Sequence, residues 1–271
     1  GDFIVPENVP ANEFLNLEGA KISTSRNWAV WLHEYLEDFP GMQDVMRYVL
    51  CATAPETKDN DFTWKDFQTR NNSELVGIYG NFINRVVVLT NKYYEGSIPE
   101  RAELTARDKD VLTQLKDFPS KISKSIESYR FREALAEMMN LARLGNKYLA
   151  DEEPWKLVKT DEIRTKTIMN IALQIAANLA IVSEPFLPFT AAKLRTMLCL
   201  AHFPWHKAGE DSLLAPEMKI GKAELLFRKV EDAEMEAQLE KLEATKLANQ
   251  VVQSQKENVK FEDFSAMDIR V

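Results

Sequence analysis

The chain has 271 residues, 45% of them hydrophobic, which is enough for one sizeable core with small appendages. Its formal net charge of −8 argues against a uniformly basic nucleic-acid binder, yet six acids against one base between Glu231 and Glu243 hold most of that surplus. Two cysteines, Cys51 and Cys199, lie far apart in apolar surroundings and read as buried thiols, which leaves neither a disulfide framework nor a cysteine-based zinc site. No apolar run reaches the roughly 18–20 residues of a membrane-spanning helix. The opening Gly1-Asp2-Phe3-Ile4-Val5-Pro6 has no signal pattern, so a cytoplasmic address without a membrane partner is expected. The absence of an initial methionine and of a stop-like tail reads as an excised piece of a longer protein.

In chain order, Phe14-Leu15-Asn16-Leu17 followed by Glu18-Gly19 predicts a short strand entering a turn, and a loop Lys21-Ile22-Ser23-Thr24-Ser25-Arg26 leaves it. An apolar-patterned helix is expected from Asn27 to Phe39 and a second over Asp44–Leu50, where Asp44 and Arg47 read as a surface pair within one helix. Residues 54–61 are polar and breaker-rich, as are 95–99. Between them Leu75, Ile78, Tyr79, Phe82, Ile83, Val86 and Leu89 mark one face of a long helix. A surplus of bases from Lys116 to Arg132 reads either as a phosphate-facing surface or as a solvated helix face. Apolar positions from Leu135 to Leu149 and from Ile168 to Val182 predict two further helices, the last stopped at Pro185. Irregular sequence follows from His202 to Lys222, then a charged helix from about Val230 to Gln255. Proline between His202 and His206 spoils a helical metal pair, and no zinc site is expected. The fold class is mainly α: a helical bundle with a short β-containing N-terminal remnant.

An ammonium with two serines in a Gly-entered loop suits a triphosphate, because compact cations, hydroxyls and backbone N–H groups neutralise a departing phosphate. The same run also suits a solvated turn. This loop resembles the KMSKS signature of class I aminoacyl-tRNA synthetases, and the D-x-x-R-Y helix at Asp44–Tyr48 follows it in the order that family shows. Tyr79-Gly80-Asn81-Phe82-Ile83-Asn84-Arg85 and Asn146 through Trp155 resemble signatures of the methionyl branch's anticodon-binding domain. Residues 261–271 look like the opening of an appended OB-fold.

The resemblance implies a parent that forms methionyl-adenylate from methionine and ATP, with magnesium as co-substrate, and charges methionine tRNA. It gives Lys21 and Ser25 catalytic parts and sets Lys21 and Thr24 against ATP, although Thr24 stands where the family has a second lysine. Trp155 is implied to stack on an anticodon base; the alternative reading of the residue is a core tryptophan anchoring the next helix. The asparagine and arginine that the family presents to the anticodon are here Val88 and Lys92, so Lys92 meets a phosphate or base edge without the planar fork of arginine. Asn84 and Arg85 are carried as further RNA contacts or as internal hydrogen-bond partners. The HIGH motif is missing, as are G-x-S-x-G, G-x-x-x-x-G-K and G-x-G-x-x-G, so the fragment alone is expected to be inactive with no cofactor bound. The expected division is 1–26 end of the catalytic and connecting segment, 27–222 helical anticodon-binding domain, 223–260 charged linker helix and 261–271 truncated OB-fold. The fragment is expected to be monomeric, with any homodimer of the parent formed through the missing C-terminal domain. Two alternatives stay open: a leucyl, valyl or cysteinyl synthetase, and a non-catalytic helical interaction module.

Overall fold

The structure, a computed structural model, describes residues 4–248 and Ser265; the expected OB-fold stub therefore lies almost wholly outside the described residues. Strand β1 (Leu15–Leu17) turns through Glu18 (φ +47°) and Gly19 (φ +72°) into β2 (Ala20–Lys21). That left-handed pair is the hairpin geometry in which glycine relieves the strain. Strand β3 (Asn60–Phe62) pairs in parallel with β1, Leu15 opposite Asn60 and Leu17 opposite Phe62. The sequence shows only polar breakers there; β3 forms because Phe62 buries its ring beside Trp64 and Phe67 while Asn60 and Asp61 stay near the surface.

Helix α1 is shorter than expected, Leu32–Asp38, because Asn27 adopts φ +52° and Trp28 pairs with Ser23. Helix α2 (Gln43–Ala52) follows. One continuous helical rod then runs from α3 (Trp64–Arg70), started by the Thr63 hydroxyl accepting the Asp66 N–H, through wide π-type turns at Asn71–Gly80 into α4 (Asn81–Tyr94). Helix α5 (Ala106–Glu127) opens on a reciprocal Thr105–Asp108 cap, and α6 (Phe131–Glu152) packs along it. The short α7 (Pro154–Leu157), α8 (Glu162–Val182), α9 (Pro188–Met197) and α10 (Asp232–Ala248) complete the described helices.

The core forms around α8. Its apolar stretch is long enough by length and composition to cross a membrane, contrary to the sequence expectation, and nearly all of it lies inside the fold against α4, α5, α6 and α9. A polar stripe interrupts it for a reason. Asn170 donates to Pro99 O, Gln174 bonds both backbone groups of Leu214, and Asn178 joins Glu210 O and the Gly209 N–H. These three side chains stand one turn apart and hold the irregular 99 and 209–214 segments to the core.

Asp44 and Arg47 do not pair within α2. Asp44 Oδ2 accepts the Thr190 N–H at 2.6 Å, and Arg47 donates to Phe186 O at 3.0 Å and Pro185 O at 2.9 Å, so the helix is lashed to the α8–α9 turn. Cys51 is partly buried and Cys199, at φ +48°, is exposed, so the expectation of two buried thiols holds for neither in full. Helix α10 turns Met235, Gln238 and Leu242 inward against the α1–α3 region, with Gln238 and Lys241 both bonded to Asp38 Oδ2.

Candidate functional site

The lysine loop is a closed hairpin. Ser23 and Trp28 exchange backbone hydrogen bonds at 2.9 and 2.8 Å, the Asn27 N–H reaches Thr24 O at 3.0 Å, and the Trp28 indole N–H donates to Leu17 O. The Gly19 N–H meets both oxygens of Asp61 at 3.0 Å and fixes the turn that precedes Lys21. Lys21, Thr24 and Ser25 are all exposed; Lys21 Nζ lies 5.6 Å from the Phe14 ring centre, and the Ser23 and Ser25 hydroxyls are 3.2 Å apart. Lys21, Arg26 and Trp28 line one wall of a cleft of about 470 Å³, and Glu243 and Lys246 of α10 line the other. Ammonium, guanidinium and hydroxyl donors on a backbone-locked turn can neutralise a phosphate group without reorganising.

The second candidate surface is built from α4 and α7. Helix α6 ends where Glu153 takes φ +43°, and Pro154 starts α7 at once, a position where its missing N–H costs nothing. This places Trp155 half-buried with the Arg85 guanidinium 4.8 Å from its ring centre. Asn84 and Val88 are exposed on the same helix, and Lys92 is exposed with Nζ 5.5 Å from the Tyr93 ring centre. Asn81 donates to Asn146 at 3.0 Å and Asn146 donates to Ile78 O at 2.8 Å, which joins α4 to α6. Sequence patterning names Arg85 and Trp155 separately but carries no signal for their stacking, which depends on how α6 and α4 cross.

A largely buried ionic network joins α5, the end of α6 and α8. Arg164 bonds both oxygens of Asp108 and reaches Glu152 at 2.6 Å, and the Tyr148 hydroxyl donates to Asp108 Oδ1 at 2.6 Å. Burial pushes the Asp108 carboxyl up, but hydrogen bonds from Arg164, Tyr148 and the Thr105 N–H outweigh it and hold the pKa at about 2. His202 Nε2 lies 3.3 Å from Glu184, which also pairs with Arg195. Among the described residues no three metal-ligating side chains converge.

A helical bundle fed by a small sheet and a lysine-serine hairpin defines the post-catalytic end of a class I aminoacyl-tRNA synthetase. The family described as "tRNA synthetases class I (M)" matches residues 1–87, and "Anticodon binding domain of methionyl tRNA ligase" matches residues 98–247. The chain belongs to the methionyl-tRNA ligase family. A methionine–tRNA ligase of Cytophaga hutchinsonii is 66% identical over all of this chain and 40% of its own length, and that of Christiangramia forsetii is 66% identical over all of this chain and 41% of its own. Mycobacterium tuberculosis methionyl-tRNA synthetase in complex with methionyl-adenylate superposes with a TM-score of 0.71 at 23% identity, covering 80% of this chain and 43% of that one, a likeness of fold. The chain thus spans about 40% of the length of its curated relatives. The match to the methionyl branch sets aside both alternatives left open by the sequence.

Proposed function

We propose that this chain is the part of a methionine–tRNA ligase that reads the tRNA anticodon and carries the phosphate loop of the synthetic site. The parent joins methionine to ATP as an adenylate with release of pyrophosphate and transfers methionyl to the terminal adenosine of methionine tRNA. In it Lys21 contacts the ATP phosphates with Thr24 beside it, and Lys21 and Ser25 stabilise charge as pyrophosphate leaves. Magnesium accompanies ATP as its counter-ion, and no zinc is assigned to this piece. The single observation that carries the RNA reading is the Arg85–Trp155 stack at the head of α7, a broad aromatic face with a guanidinium over it and Asn84 and Lys92 exposed along the same helix. On this reading Trp155 takes an unpaired base, Lys92 a phosphate or base edge, and Asn84 and Arg85 flank them. The domain division follows the expectation above, 27–222 holding the RNA face, in a cytoplasmic protein whose present piece is monomeric.

A fluorescence titration with methionine tRNA, and with the same tRNA carrying an altered anticodon, at one fixed salt concentration tests this reading. Tighter binding of the native anticodon is expected; equal affinity for both overturns it. Pyrophosphate exchange by the chain alone is expected to stay at the blank.

A further inference from the structure

Away from both candidate surfaces, α2, α3 with its wide turns, and α6 as far as Arg143 enclose a cleft of about 420 Å³ into which four arginines converge: Arg70, Arg130, Arg132 and Arg143. Three carboxylates share it, and each is occupied. Glu74 accepts the hydroxyl of Tyr48 and lies 3.8 Å from Arg70, which itself grips Asp66 at 2.6 Å. Glu133 pairs with Arg130 at 3.3 Å, and Glu56 accepts the backbone N–H of Arg132 at 2.8 Å. Among the described residues that leaves the guanidinium groups of Arg132 and Arg143, both exposed, without a carboxylate partner; Arg143 bonds the neutral Asn140 oxygen at 2.9 Å. Burial and Glu74 push the Tyr48 phenol up, so it stays protonated and keeps donating to Glu74 across the working pH range. Two forked cations with vacant donors, in a cleft whose acids are already engaged, suit phosphate oxygens.

Helix α6 links the cleft to the RNA face. Asn146, one turn beyond Arg143 on α6, joins Asn81 and Ile78 of the rod, and α6 then runs on to Glu152 and the turn that presents Trp155. At 1.5 Å per residue Arg143 lies about 14 Å and Arg132 about 30 Å before the end of α6.

We propose that Arg132 and Arg143 form a phosphate clamp that holds the backbone of the duplex stem leading to the anticodon loop, while Trp155 holds a base of the loop itself. This rests on the reading of Trp155 as an RNA contact and adds a second, sequence-independent site to it. The clamp positions the RNA, and its contribution is the same whichever bases the loop carries.

The test is the salt dependence of binding to a methionine tRNA transcript, for the wild-type chain, R132A/R143A, R132K/R143K and Trp155→Ala. R132A/R143A is expected to bind more weakly and to flatten the slope of log affinity against log salt by about 2, one per lost phosphate contact, with discrimination against an altered anticodon intact. The lysine pair is expected to restore the slope, and Trp155→Ala to lose discrimination with the slope kept. Both arginines are exposed, and an unchanged melting temperature checks that the variants stay folded. An unchanged slope in R132A/R143A, beside a Trp155→Ala variant that behaves as expected, overturns the clamp alone and leaves the cleft to another ligand such as an acidic peptide. Absence of tRNA binding by the wild-type chain overturns the clamp and the anticodon reading together.

Discussion

Trp155 is offered to solvent by two backbone constraints, the left-handed Glu153 and the fixed φ of Pro154, and its face is already shared with Arg85. Trp155→Ala is therefore expected to weaken tRNA binding by about 1–3 kcal/mol while moving the melting temperature little, read by titration and calorimetry. Gly145 is constrained in the opposite sense: a Cβ there would lie 2.3 Å from the Phe82 ring, so the residue exists to let α6 pass α4. Phe82 is fully buried and cannot swing clear, so Gly145→Ala is expected to cost about 1–3 kcal/mol in urea unfolding. The sequence declares the first of these residues and hides the second. A tryptophan after proline announces a helix start, whereas a glycine within an apolar helical pattern gives no sign that an aromatic ring fills the space above it.

At the scale of elements, most helices are legible because their apolar positions recur at helical spacing, and their bounds fall near the residues expected. Helices α5 and α9 carry no separate expectation, and three further features escape for physical reasons. The residues 27–31 are apolar enough for a helix but close the lysine hairpin, since the Ser23–Trp28 pairing and the Trp28 bond to Leu17 O outweigh local propensity. Strand β3 is too short and polar to signal itself. The Asn170–Gln174–Asn178 stripe looks like an interruption of a buried helix, and only the loops it holds explain it. Gln174→Leu leaves the Leu214 N–H and C=O without partners inside the fold, with an expected loss of about 1–3 kcal/mol in urea unfolding. The Asp108–Arg164 network joins α5, α6 and α8, and its sign in pH is fixed. Because the folded carboxyl titrates at about 2, below its ordinary 3.8, its contribution is full above pH 4 and is lost as pH falls through 2, amounting to about 2 kcal/mol. Asp108→Asn is expected to remove that acid-limb slope in unfolding curves taken from pH 2 to 5.

Across the whole molecule, long-range contacts fasten the N-terminal elements to the bundle. Arg47 and Asp44 fix α2 to the α8–α9 turn, and α10 returns from the far end of the chain to face the hairpin, with Lys246 Nζ 6.0 Å from the Trp28 ring centre. A charged helix that reads as a linker or a bundle appendage thus packs one side against the fold, through Met235, Gln238 and Leu242. Lys241→Ala removes one charge-assisted hydrogen bond to Asp38, and is expected to raise amide exchange across 232–248 while α8 stays protected.

The wide turns at Asn71–Gly80 set how far the rod rotates between its two ends. Each residue there advances the helix through a smaller angle than an α-helical one, so the segment acts as a phase adjuster between Arg70 and Glu74 at one end and Asn84, Arg85 and Lys92 at the other. Deleting one residue from it would turn the far end relative to the near one by somewhat less than the roughly 100° of an α-helical residue. Both ends would remain helical, yet Arg70 would no longer keep its angular relation to Asn84, Arg85 and Lys92.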